Sequence, residues 1–267
     1  SGMDASTARQ GLFWAINDGG NGPYLYALGG GGERLGRVQV TGAENRDWEG
    51  IATFRWRGRP MILIADTGDN RERQETHRLF ILPEPPLKQG RLDRSATAAV
   101  SWRIRFRYPD RPHDAEGVAV DPAAGKVLLL TKRDIPPLLF ELPLAPGNPD
   151  RLVTARKVAS AGRIPQPSPM DLMHRYGLIQ AQPTALDISF DGRRAVVLTY
   201  THAYLFERGS RSSWGAAFSL DPIRLPLPLP LNRSDLRQRE AICFSPDDRA
   251  IFVTSEGEGA GIYRLDA

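Results

Sequence analysis

Three glutamates stand at the start of the same short sequence pattern. Each is followed by Gly or Ala and then by a large aliphatic residue, in Glu49-Gly50-Ile51, Glu116-Gly117-Val118 and Glu240-Ala241-Ile242. If the fold gathers these carboxylates, they repel one another and lose hydrating water, so each needs a proton or a neighbouring cation. The pattern therefore predicts a functional cluster that can be neutralised in one of two ways.

The first way is a bound hard cation, for which carboxylate and amide oxygens are the preferred ligands of Ca²⁺. The predicted calcium ligands are Glu49, Glu116, Glu240, Asn17 and Asp66. The second way is internal, because Lys132 or Arg133, at the end of an apolar run, can neutralise the cluster as an ion pair. The sequence leaves both open.

The most unusual polar stretch is residues 65–73, which contains three acids, an amide and two arginines in one predicted loop. Residues 17–21 repeat its polar-Gly-x-Asn spacing. In one interpretation Asp66 is a ligand in the metal site, and Arg71 and Arg73 bind an anionic substrate. The other is a self-capping turn of Asp, Gly and Asn whose arginines lie in solvent.

The histidines and the single cysteine do not indicate a zinc site. The four histidines are His77, His113, His174 and His202. They do not form a ligand-spaced pair for zinc, and the single Cys243 lies in an apolar run typical of a core strand. Beside the predicted cluster, His113 and His202 are candidate general acids or bases, or else solvated loop residues.

The segments that must position these residues form a five-fold repeat. Its first apolar run starts at residues 1, 49, 116, 184 and 240, and a second and a third run follow each start. Runs of Val, Ile, Leu, Tyr and Phe bounded by Gly, Pro and Asp predict β-strands. Small residues at the second position of the first run suit a crowded place where strands converge. Such antiparallel units repeated around an axis predict an all-β fold, a β-propeller.

Five blades fit the repeat, in a single domain covering residues 1–267, and a sixth is possible if residues 164–182 hide a degenerate blade. A β-sandwich or a simple meander is the other fold alternative. Fourth strands are predicted over residues 35–40, 100–106, 152–158 and 214–220. The last repeat has no room for one, so the last blade lacks it or is completed by a strand on the N-terminal side.

Propeller geometry places the start of each first run and the end of each second run on one rim of the central channel. Besides the three glutamates, the predicted rim includes Ser1, Asn17, Asp18, Asp66, Thr67, Lys132, Arg133, Thr184, Tyr200, Thr201, Ser255 and Glu256.

The composition argues against a nucleic-acid-binding protein, a membrane-spanning protein and a disulfide-bonded one. With 35 Lys+Arg against 31 Asp+Glu the net charge is +4, and no basic run is clustered, so nucleic acid is not an indicated partner. The sequence contains no run of about 18 apolar residues, so no membrane-spanning segment is predicted. One cysteine excludes an intramolecular disulfide. The chain starts at Ser1 without an initiator Met or a signal sequence, so we expect a mature or trimmed chain, which leaves the compartment open. Separately, we expect a monomer that is periplasmic or secreted, with a cytoplasmic location as the alternative.

The sequence resembles a family of uncharacterised bacterial β-propellers. The likeness is carried by Asp47-Trp48-Glu49-Gly50-Ile51-Ala52, by Ala65-Asp66-Thr67-Gly68-Asp69-Asn70, and by Glu240-Ala241-Ile242 leading to Thr254-Ser255-Glu256-Gly257. More distantly, the architecture and the acidic rim are similar to calcium-dependent lactonase propellers of the SMP-30/gluconolactonase type and to phytase-like propellers. The resemblance implies metal at the channel mouth but matches no catalytic motif.

The sequence therefore predicts a calcium-dependent hydrolase acting on a small anionic ester, lactone or phosphoester at the channel mouth. Its predicted catalytic residues are Asp66, Glu116 and Lys132, and its predicted substrate-binding residues are Arg71, Arg73, Arg133, Tyr200 and His202. The alternative is a non-catalytic propeller that binds a small-molecule ligand or a protein on the same rim.

Overall fold

The protein folds into five β-sheets with almost no helix in a computed structural model, which describes residues 1–93, 95–148, 151–173, 177–227, 239–257 and 259–267. In chain order, the strands of the first half are β1 (Gly2–Ala5), β2 (Leu12–Ile16), β3 (Tyr24–Gly29), β4 (Arg34–Thr41), β5 (Trp48–Trp56), β6 (Arg59–Asp66), β7 (His77–Pro83), β8 (Thr97–Ala99), β9 (Trp102–Arg107), β10 (Ala115–Asp121) and β11 (Lys126–Thr131). Those of the second half are β12 (Leu138–Pro143), β13 (Leu152–Thr154), β14 (Arg156–Ser160), β15 (Pro183–Ile188), β16 (Arg194–Thr199), β17 (Ala203–Glu207), β18 (Ile223–Leu225), β19 (Arg239–Phe244), β20 (Ala250–Ser255) and β21 (Tyr263–Asp266). Two one-turn helices are α1 (Pro169–Leu172) and α2 (Trp214–Ala217).

The five sheets are the blades of a β-propeller, which confirms the predicted fold. Their innermost strands are β1, β5, β10, β15 and β19. Each innermost strand contacts the next, and β19 contacts β1, so the ring closes around a central axis. The sheets pair β1-β2-β3-β4-β8, β5-β6-β7-β9-β13, β10-β11-β12-β14, β15-β16-β17-β18 and β19-β20-β21.

The hydrophobic core lies between neighbouring blades. The surroundings of strand β6 explain why its sequence is continuously apolar. Leu63 faces a cluster shared with the third blade, whereas Ile62 and Ile64 face a cluster shared with the first. Alternate side chains of one strand are thus buried on opposite faces, so no polar face is left.

Three of the four predicted outer strands occur, with one of them divided. Residues 152–158 split at Ala155, where β13 pairs in parallel with β9 of the second blade and β14 completes the third blade. The prediction of a strand over residues 214–220 is wrong. Ser213 caps the one-turn helix α2 there, Trp214 Nε1 donates to Asp121 Oδ2 of the third blade at 2.9 Å, and β18 takes the outer position.

The last blade has three strands among the described residues, as its short repeat predicted. The described part of residues 164–182 holds helix α1 and turns rather than a further sheet. No helix among the described residues is long and apolar enough to cross a membrane.

Gly50 confirms that the second position of the inner strand is crowded. A Cβ atom there would lie 2.4 Å from Val118 Cγ1 and 3.0 Å from the carbonyl oxygen of Glu116 on the adjacent inner strand. We expect Gly50→Ala to lower the free energy of unfolding by about 1–3 kcal/mol, because the ring of inner strands must widen. Gly30→Ala, whose Cβ would be 3.6 Å from its nearest neighbour, is the matched control and should change it by less than about 0.5 kcal/mol in denaturant titrations.

Candidate metal and ligand site at the channel mouth

A β-bulge aims the predicted rim residues into the channel. In four inner strands the pairing register skips one residue, between Trp48 and Gly50 in β5, for example. The skipped residues are Glu49, Glu116, Thr184 and Glu240. All four line the same central cavity. Bulges re-aim side chains in this way at the ends of strands, and here they bring together three carboxylates that the sequence separates widely.

A group of three neighbouring carboxylates at this mouth is formed by Asp18, Asp47 and Glu49. One ligand oxygen from each lies within 4.8 Å of the other two. Burial and then the charge of Glu116 raise the pKa of Glu49 to about 9, and burial and then Asp18 raise the pKa of Asp47 to about 6. Ionising all three carboxyl groups together is therefore unfavourable, and Glu49 holds its proton near neutral pH.

Glu116, by contrast, has an internal counter-ion. Lys132 Nζ donates to Glu116 Oε1, and both side chains are 9 % exposed. The ammonium also lies 5.2 Å from the ring centroid of Tyr200, which is buried. Burial lowers the pKa of Lys132, but the Glu116 charge more than offsets this and raises it, so the ammonium stays charged. The predicted internal neutralisation thus operates at Glu116.

Glu240 lies on the fifth blade, whereas the Lys132–Glu116 ion pair belongs to the third. Its Oε2 accepts from Ser1 Oγ at 2.7 Å and lies 3.1 Å from the amino nitrogen of Ser1, which is 3.5 Å from Glu49 Oε2. Burial and then Glu240 raise the pKa of Glu256. A cavity of about 520 Å³ between the first and last blades opens here and is lined by Asn17, Asp18, Glu240 and Glu256.

Asp66 has a different environment from the one its motif predicted. Its side chain is 0 % exposed, and Oδ2 lies 2.6 Å and 2.8 Å from the Arg78 guanidinium nitrogens. Oδ1 accepts from the backbone N–H groups of Arg46 and Asp47, the latter at 2.8 Å. Both oxygens thus accept hydrogen bonds, and Asp66 holds the segment that carries Asp47. Its predicted roles as a metal ligand and a catalytic residue stay predictions.

The predicted substrate-binding residues are not all together. Arg71 and Arg73 are exposed on the loop after Asp66. Arg133 does not reach the glutamates, because its Nε donates to Asp114 Oδ2 at 2.7 Å and its NH2 to Asn70 Oδ1. His202 bonds to Thr201 and Arg224 on the fourth blade.

Sequence reasoning missed Asp47 as a candidate ligand, and placed Asp18 on the rim without giving it that role. Asp47 lies two residues before Glu49, and both flank the buried Trp48. Two acidic residues at positions i and i+2, on either side of an aromatic residue, are the sequence pattern that could have indicated Asp47 as a ligand. What brings them to one point is the bulge at Glu49, which spacing alone does not reveal.

His113 lies away from the cluster, buried between two aspartates. Its Nδ1 is 2.9 Å from Asp134 Oδ2 and its Nε2 is 3.0 Å from Asp110 Oδ1. Both partners only accept hydrogen bonds, so both ring nitrogens must carry protons. Burial lowers the pKa of His113, but the bonds to Asp134 and Asp110 more than offset it and raise it. His113 thus ties together loops of the third blade, and His174 lies outside the described residues.

We expect His113→Gln to reduce the free energy of unfolding by about 1.5–3 kcal/mol at pH 5.5 and by less at pH 9. A group whose pKa is raised on folding contributes fully below its unfolded pKa, near 6.5, and loses that contribution as the pH rises through the folded value. Urea titrations of both proteins at the two pH values give the difference. An equal loss at both would show that the imidazolium charge plays no part.

Comparisons with known proteins identify no family for this chain. No protein-family model matches the chain, and no curated protein matches it. Among solved structures, a nidogen/laminin complex aligns with a TM-score of 0.46 and 14% identity, over 99% of this chain and 74% of that one. A protein assigned as a 6-phosphogluconolactonase from Bacteroides uniformis aligns with a TM-score of 0.44 and 16% identity, over 100% and 67%.

The class defined by the fold is therefore a five-bladed β-propeller, and it rests on the strand pairing itself. Within this class, the protein is characterised by an acidic channel mouth that contains a buried Lys132–Glu116 ion pair. The predicted likeness to lactonase and phytase-like propellers stays a prediction, because sequence comparison identifies no family.

Proposed function

We propose that the channel mouth binds a divalent cation, Ca²⁺, and hydrolyses a small anionic ester, lactone or phosphoester. The observation that carries this proposal is the convergence of Asp18, Asp47 and Glu49, with ligand oxygens within 4.8 Å of one another, in the same channel mouth as the buried Lys132–Glu116 ion pair.

The donor set fits a hard cation. All three groups offer carboxylate oxygen, and the ion pair described for them joins Glu49 Oε2 to the Ser1 amino group at 3.5 Å. The raised pKa values of Glu49 and Asp47 express the repulsion and desolvation that a bound cation would relieve. When bound, such a cation polarises a carbonyl or phosphoryl oxygen as a Lewis acid.

The chain's own residues complete the proposal. The Lys132 ammonium, kept charged by Glu116, offers a fixed positive charge to the anionic group of the substrate and to negative charge developing in the transition state. Glu116 lines the channel and serves to orient and deprotonate water. Tyr200 packs against the ammonium and restricts its position.

Calorimetric titration of metal-free protein with CaCl₂ tests the cation. We expect saturable binding in the wild type that is lost in Asp47→Asn and in Glu49→Gln. Glu75→Gln, which removes an exposed carboxylate from the neighbouring loop, is the matched control and should bind as the wild type does. Absence of heat at millimolar calcium would contradict the proposal.

A panel of lactones, carboxylic esters and phosphomonoesters then tests catalysis. Calcium-dependent turnover that falls at least about hundredfold in Glu116→Gln supports the hydrolase. The neutralisation of Glu116 by Lys132 favours the non-catalytic alternative, in which the rim binds a ligand without converting it. Calcium binding without turnover on the panel would support that alternative.

A further inference from the structure

Arg239, at the start of β19, differs from Arg78 and Arg208, two half-buried arginines with carboxylate partners. Arg78 pairs with Asp66 and Arg208 pairs with Asp121. Arg239 is 5 % exposed, yet the bond described for its guanidinium runs from NH1 to the carbonyl oxygen of Thr201, at 2.7 Å. No carboxylate lies within 4.0 Å of it among the described residues. A guanidinium has five N–H donors, so most of its hydrogen-bonding capacity is unused there.

A second guanidinium lies near the same loop. Arg224, exposed on β18, donates from NH2 to His202 Nε2 at 2.5 Å. His202 Nδ1 is 2.8 Å from Thr201 Oγ1, which donates to the carbonyl oxygen of Gln180 at 2.9 Å. Since Nε2 accepts from Arg224, the imidazole is neutral, with its proton on Nδ1. The hydrogen bonds thus run in one direction from Arg224 to Gln180 and fix the ring.

The two guanidinium groups dominate the charge around His202. Burial lowers the pKa of His202, and the charges of Arg224 and then Arg239 lower it further. Burial also lowers the pKa of Arg239, for which the described residues provide no ion-pair partner. Two guanidinium groups and a neutral imidazole, without a described carboxylate, form a local environment that a negatively charged ligand would stabilise.

We propose that Arg239 and Arg224, with the Thr201–His202 segment between them, bind the phosphate group of a small-molecule ligand. Two guanidinium forks match the charge and the several acceptor oxygens of a phosphate monoester better than those of a single carboxylate. The site adjoins the channel mouth, because Arg239 precedes Glu240 and Thr201 follows Tyr200. Binding of phosphate does not depend on the proposed hydrolysis, and only the further step, that this phosphate belongs to the substrate, rests on it.

Titration calorimetry of metal-free protein with inorganic phosphate, and separately with acetate, tests this site. We expect saturable phosphate binding that is tighter than acetate binding and at least about tenfold weaker in Arg224→Gln and in Arg239→Gln. Arg59→Gln, an exposed arginine at the opposite end of a blade strand, is the control and should leave the affinity unchanged.

Arg224 is exposed, so its variant keeps the test informative if Arg239→Gln does not fold. No phosphate binding by the wild type, equal affinity for acetate, or an Arg224→Gln variant that binds like the wild type would each overturn the proposal. Calcium titrations of the same variants separate the two sites. Loss of phosphate binding with calcium binding retained would leave the cation proposal untouched, and the reverse pattern in Glu49→Gln would leave this one untouched.

Discussion

Replacing Lys132 by methionine is expected to lower the free energy of unfolding by about 3–5 kcal/mol at pH 8. The reason is the carboxylate left behind. Glu116 is buried, and its Oε1 accepts from the Lys132 ammonium. Burial raises the pKa of Glu116, and the lysine charge partly offsets that effect, so removing the charge leaves the carboxylate ionised at a large cost or forces it to take a proton.

The sign of the pH dependence follows from this. In Lys132→Met the pKa of Glu116 rises further above its unfolded value, so the variant is most stable at low pH and loses stability as the pH rises through the folded pKa. The destabilisation relative to the wild type should therefore be smaller at pH 5 than at pH 8. Guanidinium titrations at the two pH values measure it.

The double variant Lys132→Met/Glu116→Gln is the control, because it removes both charges together. It should regain most of the stability that the single variant loses, since an uncharged pair of similar size avoids the desolvated carboxylate. A single variant as stable as the wild type at pH 8 would mean that the ion pair is solvated and contributes little, and the proposed role of a fixed ammonium would lose its basis.

Calcium affinity is expected to rise steeply with pH. The pKa of Glu49 is about 9 and that of Asp47 about 6, so a cation bound by both must displace their protons. Between pH 6 and 9 we expect one proton to be released per ion and about a tenfold gain in affinity per pH unit. Below about pH 6 a second proton is released from Asp47, and the slope steepens towards hundredfold per unit.

The same groups make the metal-free protein less stable as the pH rises. A carboxyl group whose pKa is raised on folding stabilises the protein below its unfolded pKa and loses that contribution as the pH rises through the folded value. Calcium should reverse this loss, adding about 2.7 kcal/mol at a hundredfold excess over its Kd. Thermal unfolding with and without CaCl₂ at pH 6 and pH 8.5 measures both effects.

Calorimetry in buffers of different ionisation enthalpy counts the released protons. Glu49→Gln removes the group that titrates near pH 9, so any residual binding in that variant should be independent of pH above 7. Affinity that does not change between pH 6 and 8 in the wild type would exclude Glu49 from the cation site, because its proton would not be displaced.

The rim then consists of two regions of opposite charge. The acidic region is formed by the ends of blade strands around Asp18, Asp47 and Glu49, and the basic region lies around Arg224 and Arg239 on the fourth and fifth blades. The segment 199–202 connects the two, since Tyr200 packs against Lys132 and Thr201 accepts from Arg239. A ligand with a phosphate at one end and a hydrolysable group at the other would match this separation of charge.

The amino-acid sequence by itself determined the repeat, the strands and the rim. Alternating or continuous apolar runs are local properties, and five copies of Glu or a polar residue before Gly or Ala mark the inner strands without any tertiary information. Because every blade repeats the same strand order around the axis, the starts of the inner strands must share one face. That rule placed Glu49, Glu116 and Glu240 on the rim, and the bulges then aim them into the channel.

Only the tertiary structure decided which polar side chain meets which. The ion pair of Asp66 with Arg78, its partner on the neighbouring strand, could not be read from the motif that contains Asp66. The helix at Trp214 depends on a hydrogen bond to Asp121, 93 residues earlier. The bulge at Glu49 likewise lies in the pairing of β5 with β6, and Arg239 reaches Thr201 on the neighbouring blade. Such pairings depend on distances of a few ångströms between residues far apart in the chain, and no local pattern encodes them.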